Sequence, residues 1–457
     1  MKKCFVIVVL TVLAASCVRN PAVERRGAQP AASGWSSVRA ILARIQAPKF
    51  PARDFPVTDF GAKGDGATDC TEAIAKAIAA CHAAGGGRVV VADGTFLTGA
   101  IHLLSNVNLH IEEGATLQFS PDRAKFMPVV FTRFEGTECM NYSPLIYAFG
   151  QENIAVTGKG VLDGSGVQAW WGLRARGGAG GPGKLTDEAE RGVPVAERVF
   201  GEGAGLRPNF IQPNRCRNVL IEDVHITNSP MWEIHPVLST NVTVRGVHIC
   251  SHGPNNDGCD PECSRDILIE NCVFDTGDDC IAIKSGRNTD GRRVNVPSEN
   301  IIVRNCIMKD GHGGVVVGSE VSGSVRNVFA ENCTMDSTNL NCALRLKSNA
   351  ERGGVIENVF MRNVQVGTVK EQVLTIDLVY GRVNSGPYPP VVRNVVMQNV
   401  TAANSPRVIS AIGTTNSTIV GIRIEDCAFH GVRFDDILTN AGSIFTNHVT
   451  IERAAVP

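Results

Sequence analysis

From residue 218 the chain returns repeatedly to one six-residue phrase: NVLIED (218–223), NVTVRG (241–246), DILIEN (266–271), NIIVRN (300–305), NVFAEN (327–332), NVFMRN (358–363) and NVVMQN (394–399). Earlier copies start at Asn106 (NVNLHI) and Asn153 (NIAVTG), and a late one reads GIRIED at 421–426. Each copy alternates apolar and polar residues, the period of a β-strand. The copies recur at steps of 23, 25, 34, 27, 31 and 36 residues. A constant strand with variable spacing is the mark of a solenoid whose insertions are loops. The links carry no helical period, and Asn and Val stand where a leucine-rich repeat would show Leu. The expected fold is all-β, a single-stranded parallel β-helix over 51–457. A β-propeller is the alternative, but its units would run near 40–50 residues.

Composition agrees. The 457 residues are 43% hydrophobic and 19% charged, with 47 Gly and few aromatics. Such a chain buries a core. A net charge of -1 excludes a broadly basic nucleic-acid binder. Lys2 and Lys3 followed by the short apolar run Phe5 to Ala15 read as a signal peptide over 1–17. Ala14-Ala15-Ser16-Cys17 resembles a bacterial lipoprotein box with Cys17 as the lipidated residue. Leu13 is one place off, so plain export is the alternative. The expectation is an exported protein, periplasmic or anchored to the outer membrane through Cys17. Residues 18–50 read as a tether. Thr71 to Ala84 has helical spacing and stops at Gly85-Gly86-Gly87. Residues 172–209 fit no coil, and read either as a mobile surface loop or as a wall beside a cleft. Of the 15 cysteines, Cys272, Cys306, Cys333 and Cys427 recur at one place in the repeat, as buried small apolar residues do. Cys259 and Cys263 lack the His pair of a zinc site.

A solenoid stacks equivalent residues about 4.8 Å apart. A second strand can be aligned across coils: Ile281-Ala282-Ile283-Lys284-Ser285 with Val315 to Ser319 and with Leu344 to Ser348, and less securely with Cys259 to Cys263. In this frame Asp257 stacks on Asp279, and Asp278 on His312. By alternation Ile281 and Ile283 point inward, while Lys284, Arg345 and Lys347 point outward. Three carboxylates, one His and two cations therefore share one strip, the cations about 10 Å from the acids. Close carboxylates repel, so some must be paired, solvated or protonated; one with a raised pKa can serve as an acid while an ionised neighbour activates water. An Arg beside a Lys suits a sugar carboxylate.

Asn255-Asn256-Asp257-Gly258, Gly277-Asp278-Asp279, Gly311-His312-Gly313 and Arg345-Leu346-Lys347, in this order, resemble the motifs of the polygalacturonases, glycoside hydrolase family 28. Asn256 and Leu346 replace Thr and Ile of that pattern, and neither change removes a titrating group. The resemblance implies a right-handed β-helix and inverting hydrolysis of α-1,4-galacturonosyl bonds in pectin, with no cofactor and no metal. It implies Asp278 as general acid, Asp257 and Asp279 as the pair activating water, and His312 as their tuner. Arg345 and Lys347 would bind the galacturonate carboxylate. Inversion calls for carboxyl groups roughly 6.5–9.5 Å apart.

Other readings stay open. Asn255 either binds substrate or bonds its own turn. Asp260 is expected in a structural bond, and Glu262 in a salt bridge to Lys284. His235 either lines the cleft or packs on Trp232. A rhamnogalacturonan-type hydrolase of the same family, a calcium-dependent polyuronate lyase and a non-catalytic glycan-binding β-helix are the alternative functions. The expected partner is a pectic polysaccharide or oligogalacturonide, acted on by a monomer. The wall reading of 172–209 favours attack from a chain end.

Overall fold

The computed structural model describes residues 34–175 and 181–454; the signal segment, Cys17 and the first part of the tether lie outside the described residues. Three parallel ladders run the length of the molecule. The first is built by the repeat itself: Arg217–Glu222, Thr240–Arg245, Arg265–Glu270, Ser298–Arg304, Val325–Glu331, Val355–Thr368 and Val391–Asn404 lie side by side in coil order. Val219, Val242, Ile267, Ile301, Val328, Val359 and Val395 stack in one unbroken register. All are buried. The observed architecture is the expected right-handed parallel β-helix. A continuous parallel ladder of this kind is incompatible with propeller blades.

The repeat begins with Asn for a conformational reason. Asn218, Asn241, Asn300, Asn327, Asn358 and Asn394 hold φ between 56° and 60°, the left-handed region that Asn tolerates better than most residues. Their amides also bond from coil to coil: Asn327 donates to Asn300 at 3.1 Å and Asn358 donates to Asn327 at 3.0 Å. Each turn of the helix is thus bent by the residue that ties it to its neighbour.

The helix spans Thr71–Ala83 and covers the first coil with Ile74, Ala77, Ile78 and Cys81. Cys272, Cys306, Cys333 and Cys427 are buried with free thiols, as their column predicts. From Gly34 on, the stretch read as a tether is docked. Val38, Ile41 and Ile45 pack on Leu268, Ile302, Phe329, Phe360 and Val396. These five are outward residues of the first face, and their apolar stripe is what draws the segment down. Trp35 lies 5.5 Å from the Phe329 ring, and Arg44 bonds Asp266 at 2.7 Å. No helix among the described residues is long and apolar enough to cross a membrane.

The described part of 172–209 is packed against the body. Its helix Pro182–Glu190 contributes Leu185, which joins Phe200 and Leu206 in a small core with Phe134, Cys139, Met231 and Trp232. Phe134 and Cys139 belong to the antiparallel hairpin Val130–Phe134 and Thr137–Asn141. At its tip Glu135 and Gly136 have φ of 42° and 82°. A Cβ on Gly136 would come within 2.8 Å of the Arg287 backbone nitrogen, so the tip can seat there only as glycine.

Candidate active site

The third ladder carries the site. Ile281, Ala282 and Ile283 pair with Val315, Val316 and Val317, and these with Leu344, Arg345 and Leu346. Cys259 bridges Ile281, and Glu262 bridges Lys284. The sequence alignment of these four coils therefore holds residue for residue. Asp257 sits over Asp279, joined through the Gly258 amide donating to the Asp279 carbonyl at 3.0 Å. Asp257, Asp278 and Asp279 each place one carboxylate oxygen within 4.8 Å of the others.

A cleft of about 190 Å³ is lined by the three aspartates with Asn255, Trp232, Lys284, Glu320, Lys347 and Tyr380. Glu135, Arg287, Ser319 and Arg352 complete it. His312 and Arg345 stand at its border. His312 Nδ1 lies 2.8 Å from Asp278 Oδ1, and Arg345 donates to the His312 carbonyl at 3.3 Å. Lys347 is nearer than the expected 10 Å: its side chain bridges the intervening coil, and Nζ donates to Asp279 Oδ2 at 2.6 Å. Asn255 accepts from Arg207 at 2.7 Å, which ties the packed insertion to the edge of the cleft.

Charge is unevenly shared. Burial alone would raise the Asp278 carboxyl, but the hydrogen bond and charge of His312, with Lys347 and Lys284, outweigh it and hold it at about 2. The same bond raises His312 above its ordinary 6.5 against the opposing effect of burial. Asp257 goes the other way. Its burial, with the charges of Asp278 and Asp260, raises its carboxyl well above the ordinary range. Asp260 is raised by burial too, with Asp279 adding to it. Burial and mutual repulsion thus push Asp257 and Asp260 towards the protonated form, while His312 holds Asp278 towards the ionised one.

One side-chain expectation is corrected. Glu262 does not meet Lys284. Its carboxylate is taken by Arg133 at 3.3 Å and His235 at 2.8 Å, on the inner side of the hairpin. Lys284 instead reaches Asp257 at 3.6 Å, Asp260 at 3.5 Å and Glu320 at 3.5 Å. Asp260 is fully buried and has the structural bond expected of it, with Lys284 as its ion-pair partner at 3.5 Å. His235 takes the packed alternative, fully buried and edge-on to Trp232 at 4.9 Å.

Sequence reasoning missed Glu320, Arg352 and Tyr380. Glu320 directly follows Ser319 of the aligned column, so extending that column by one residue finds it. Tyr380 follows Asp377, the register partner of Lys347, and its ring lies 5.3 Å from Lys347 Nζ. Arg352 comes from the turn after Lys347 and bonds Glu320 at 3.2 Å. The aspartate trio has the donor types of a calcium site, but Lys347 already stands 2.6 Å from Asp279 and Lys284 3.6 Å from Asp257. A divalent ion would have to displace one ammonium. Away from the cleft, Cys250, His252 and Asp275 also bring ligand atoms within 4.8 Å, with His252 and Asp275 bonded to each other at 2.9 Å.

Comparison with known proteins agrees with this geometry. Residues 201–450 match the family described as "Glycosyl hydrolases family 28", and residues 55–112 match "Rhamnogalacturonase A/epimerase, pectate lyase-like". A hyperthermoactive exopolygalacturonase from Thermotoga maritima is 47% identical. The match covers 91% of this chain and 96% of that one, with a TM-score of 0.87. An exo-poly-alpha-D-galacturonosidase of Dickeya chrysanthemi is 30% identical over 76% of this chain and 62% of its own length. A probable polygalacturonase of Vitis vinifera is 27% identical over 83% of this chain and 74% of its own. The chain belongs to glycosyl hydrolase family 28.

Proposed function

We propose that this protein is an exo-acting hydrolase of α-1,4-galacturonosyl bonds in pectin. One observation carries the reading: four successive coils set Asp257, Asp278, Asp279 and His312 beside Arg345 and Lys347 around a single cleft. The acids fit bond cleavage and the cations fit an acidic sugar. The likeness to the Thermotoga and Dickeya exo-acting enzymes supports the mode of attack. So does the packed block of 182–209 and the 130–141 hairpin, pinned by Arg207 to Asn255. The rhamnogalacturonase-type match lies in 55–112, outside the cleft, and gives no reason to prefer that backbone.

In this reading the proton for the leaving oxygen rests on His312 and reaches it through Asp278, the carboxyl 2.8 Å from Nδ1. Asp257 and Asp279 hold the attacking water, and Asp257 must be ionised to accept its proton. Arg345 and Lys347 hold the carboxylate of the sugar beyond the scissile bond. Asn255, already bonded to Arg207, shapes the edge of the cleft. The stereochemical course proposed is inversion. One observation favours a second course: carboxylate oxygens within 4.8 Å are closer than inverting pairs usually stand and near the roughly 5–5.5 Å of retaining ones. Proton NMR of the first product separates them, since inversion releases the β-anomer and retention the α-anomer.

The function is tested by product analysis on polygalacturonate and on rhamnogalacturonan, with and without a chelator. Saturated galacturonate monomer, unaffected by chelator, is expected. A ladder of saturated oligomers would overturn exo action. Unsaturated products lost on chelation would replace hydrolysis with the calcium-dependent lyase. Binding without any product would leave a glycan-binding β-helix. Export is proposed from the leader-like start, and anchoring through Cys17 with it. Mass spectrometry of the mature N-terminus checks both. A monomer is proposed as the working state, checked by light scattering.

A further inference from the structure

Lys284 is an ammonium in an unusual place. It is 3% exposed, and it meets three carboxylates from the two coils on either side of its own: Asp257 at 3.6 Å, Asp260 at 3.5 Å and Glu320 at 3.5 Å. It also donates to the Gly318 carbonyl at 3.3 Å and lies 4.5 Å from the Trp232 ring centroid. A buried cation persists only when its charge is met. Here one cation is divided among three anions, so whichever carboxylate claims it most strongly leaves the others free to take up protons.

We propose that Lys284 is a positioning residue for the hydrolysis, and that the division of its charge between Asp257 and Glu320 sets the pH at which Asp257 becomes a base. The proposal rests on the role given above to Asp257. Glu320 is well placed to compete. It is held by Ser319 at 2.8 Å and by Arg352 at 3.2 Å, and it is kept ionised against its own burial by Lys284, Arg352 and Arg287. The remaining groups facing this junction are Asp278, Asp279 and Lys347 across the cleft, with His235, Glu262 and Arg133 behind it. Of these, Lys347 is engaged by Asp279, and His235 and Arg133 by Glu262. Lys284 is therefore the cation left to Asp257. Although it lines the cleft, it is almost wholly covered and presents little surface to a sugar.

Two substitutions should move the pH profile in opposite directions. Removing the cation in Lys284→Met should shift the limb where kcat rises with pH to higher pH by about 1–3 units. Removing the competing anion in Glu320→Gln should shift it to lower pH. KM for oligogalacturonate should change little in Lys284→Met, and Lys284→Arg should restore part of the wild-type limb. Infrared titration of the protonated carboxyl band, assigned by its loss in Asp257→Asn, should show the same two shifts without substrate. A uniform loss of kcat at all pH with an unmoved limb and band would overturn the proposal, as would shifts of the same sign in both variants. A wild type that releases no galacturonate overturns the functional reading instead, and the infrared titration then decides the role of Lys284 on its own.

Discussion

The first and third faces of this helix use the same parallel stacking for opposite ends. On the first face, like stacks on like to mutual advantage: Val on Ile on Val inside, Asn amide on Asn amide at the turn. On the third face, the same stacking sets carboxylate over carboxylate, Asp257 above Asp279. Stacking stabilises where the repeated group is neutral and concentrates charge where it is not. The cleft is tolerable because Lys347, Lys284 and His312 answer its acids one by one. A solenoid can thus build a reactive site by changing a few outward residues while its inner columns stay constant.

The contrast predicts that the two faces fail differently. The largest effect should come from Asp278→Asn, with kcat on polygalacturonate reduced about 10²–10⁴-fold. Its thermal unfolding midpoint should stay within a few degrees of wild type, read by circular dichroism. On the first face, Ile301→Ala opens a void in a fully buried column and should cost about 2–5 kcal/mol in a denaturant titration. Activity per folded molecule should survive. Asn327→Ala removes two ladder hydrogen bonds and forces Ala to φ 59°, which should cost about 1–3 kcal/mol with no change in the pH profile.

The smallest effect is electrostatic. His312 is raised above 6.5 by Asp278, so activity should fall about tenfold per pH unit once pH passes that raised value. His312→Asn should abolish this alkaline limb. The stability contributed by the pair has the corresponding signs. The His312 part is complete below its unfolded value near 6.5 and is lost as pH rises through the folded one. The Asp278 part is present above 3.8 and is lost as pH falls towards about 2.

Period and register were readable from the chain because they depend only on neighbours in the stack. The alternation in NIIVRN places Ile301 and Val303 inside, and the alignment of Ile281, Val315 and Leu344 then follows. Side-chain partners across long sequence separations were not. Glu262 is claimed by Arg133, which arrives on a hairpin 129 residues earlier, and no strand periodicity encodes that. Lys347 spans a whole coil because its stem is long, so a distance counted between backbones overstated its separation from Asp279. The docking of Trp35 to Ile45 had a signal in the chain. Leu268, Ile302, Phe329, Phe360 and Val396 occupy an outward place where a solvent-facing strand would be polar.

Within the ladders each strand pairs only with the coils on either side, so apart from the docked 34–45 segment and the 130–141 hairpin the molecule approaches a one-dimensional chain of cooperative units. The reactive groups come from adjacent interior coils, between Asp257 and Lys347, whereas the last strand, Thr450–Arg453, is exposed along its whole length. On heating, fraying should begin at such thinly covered coils and travel inward. Loss of β-sheet signal should therefore precede loss of hydrolysis, and the separation between the two curves would measure how many coils the catalytic segment needs around it to hold its shape.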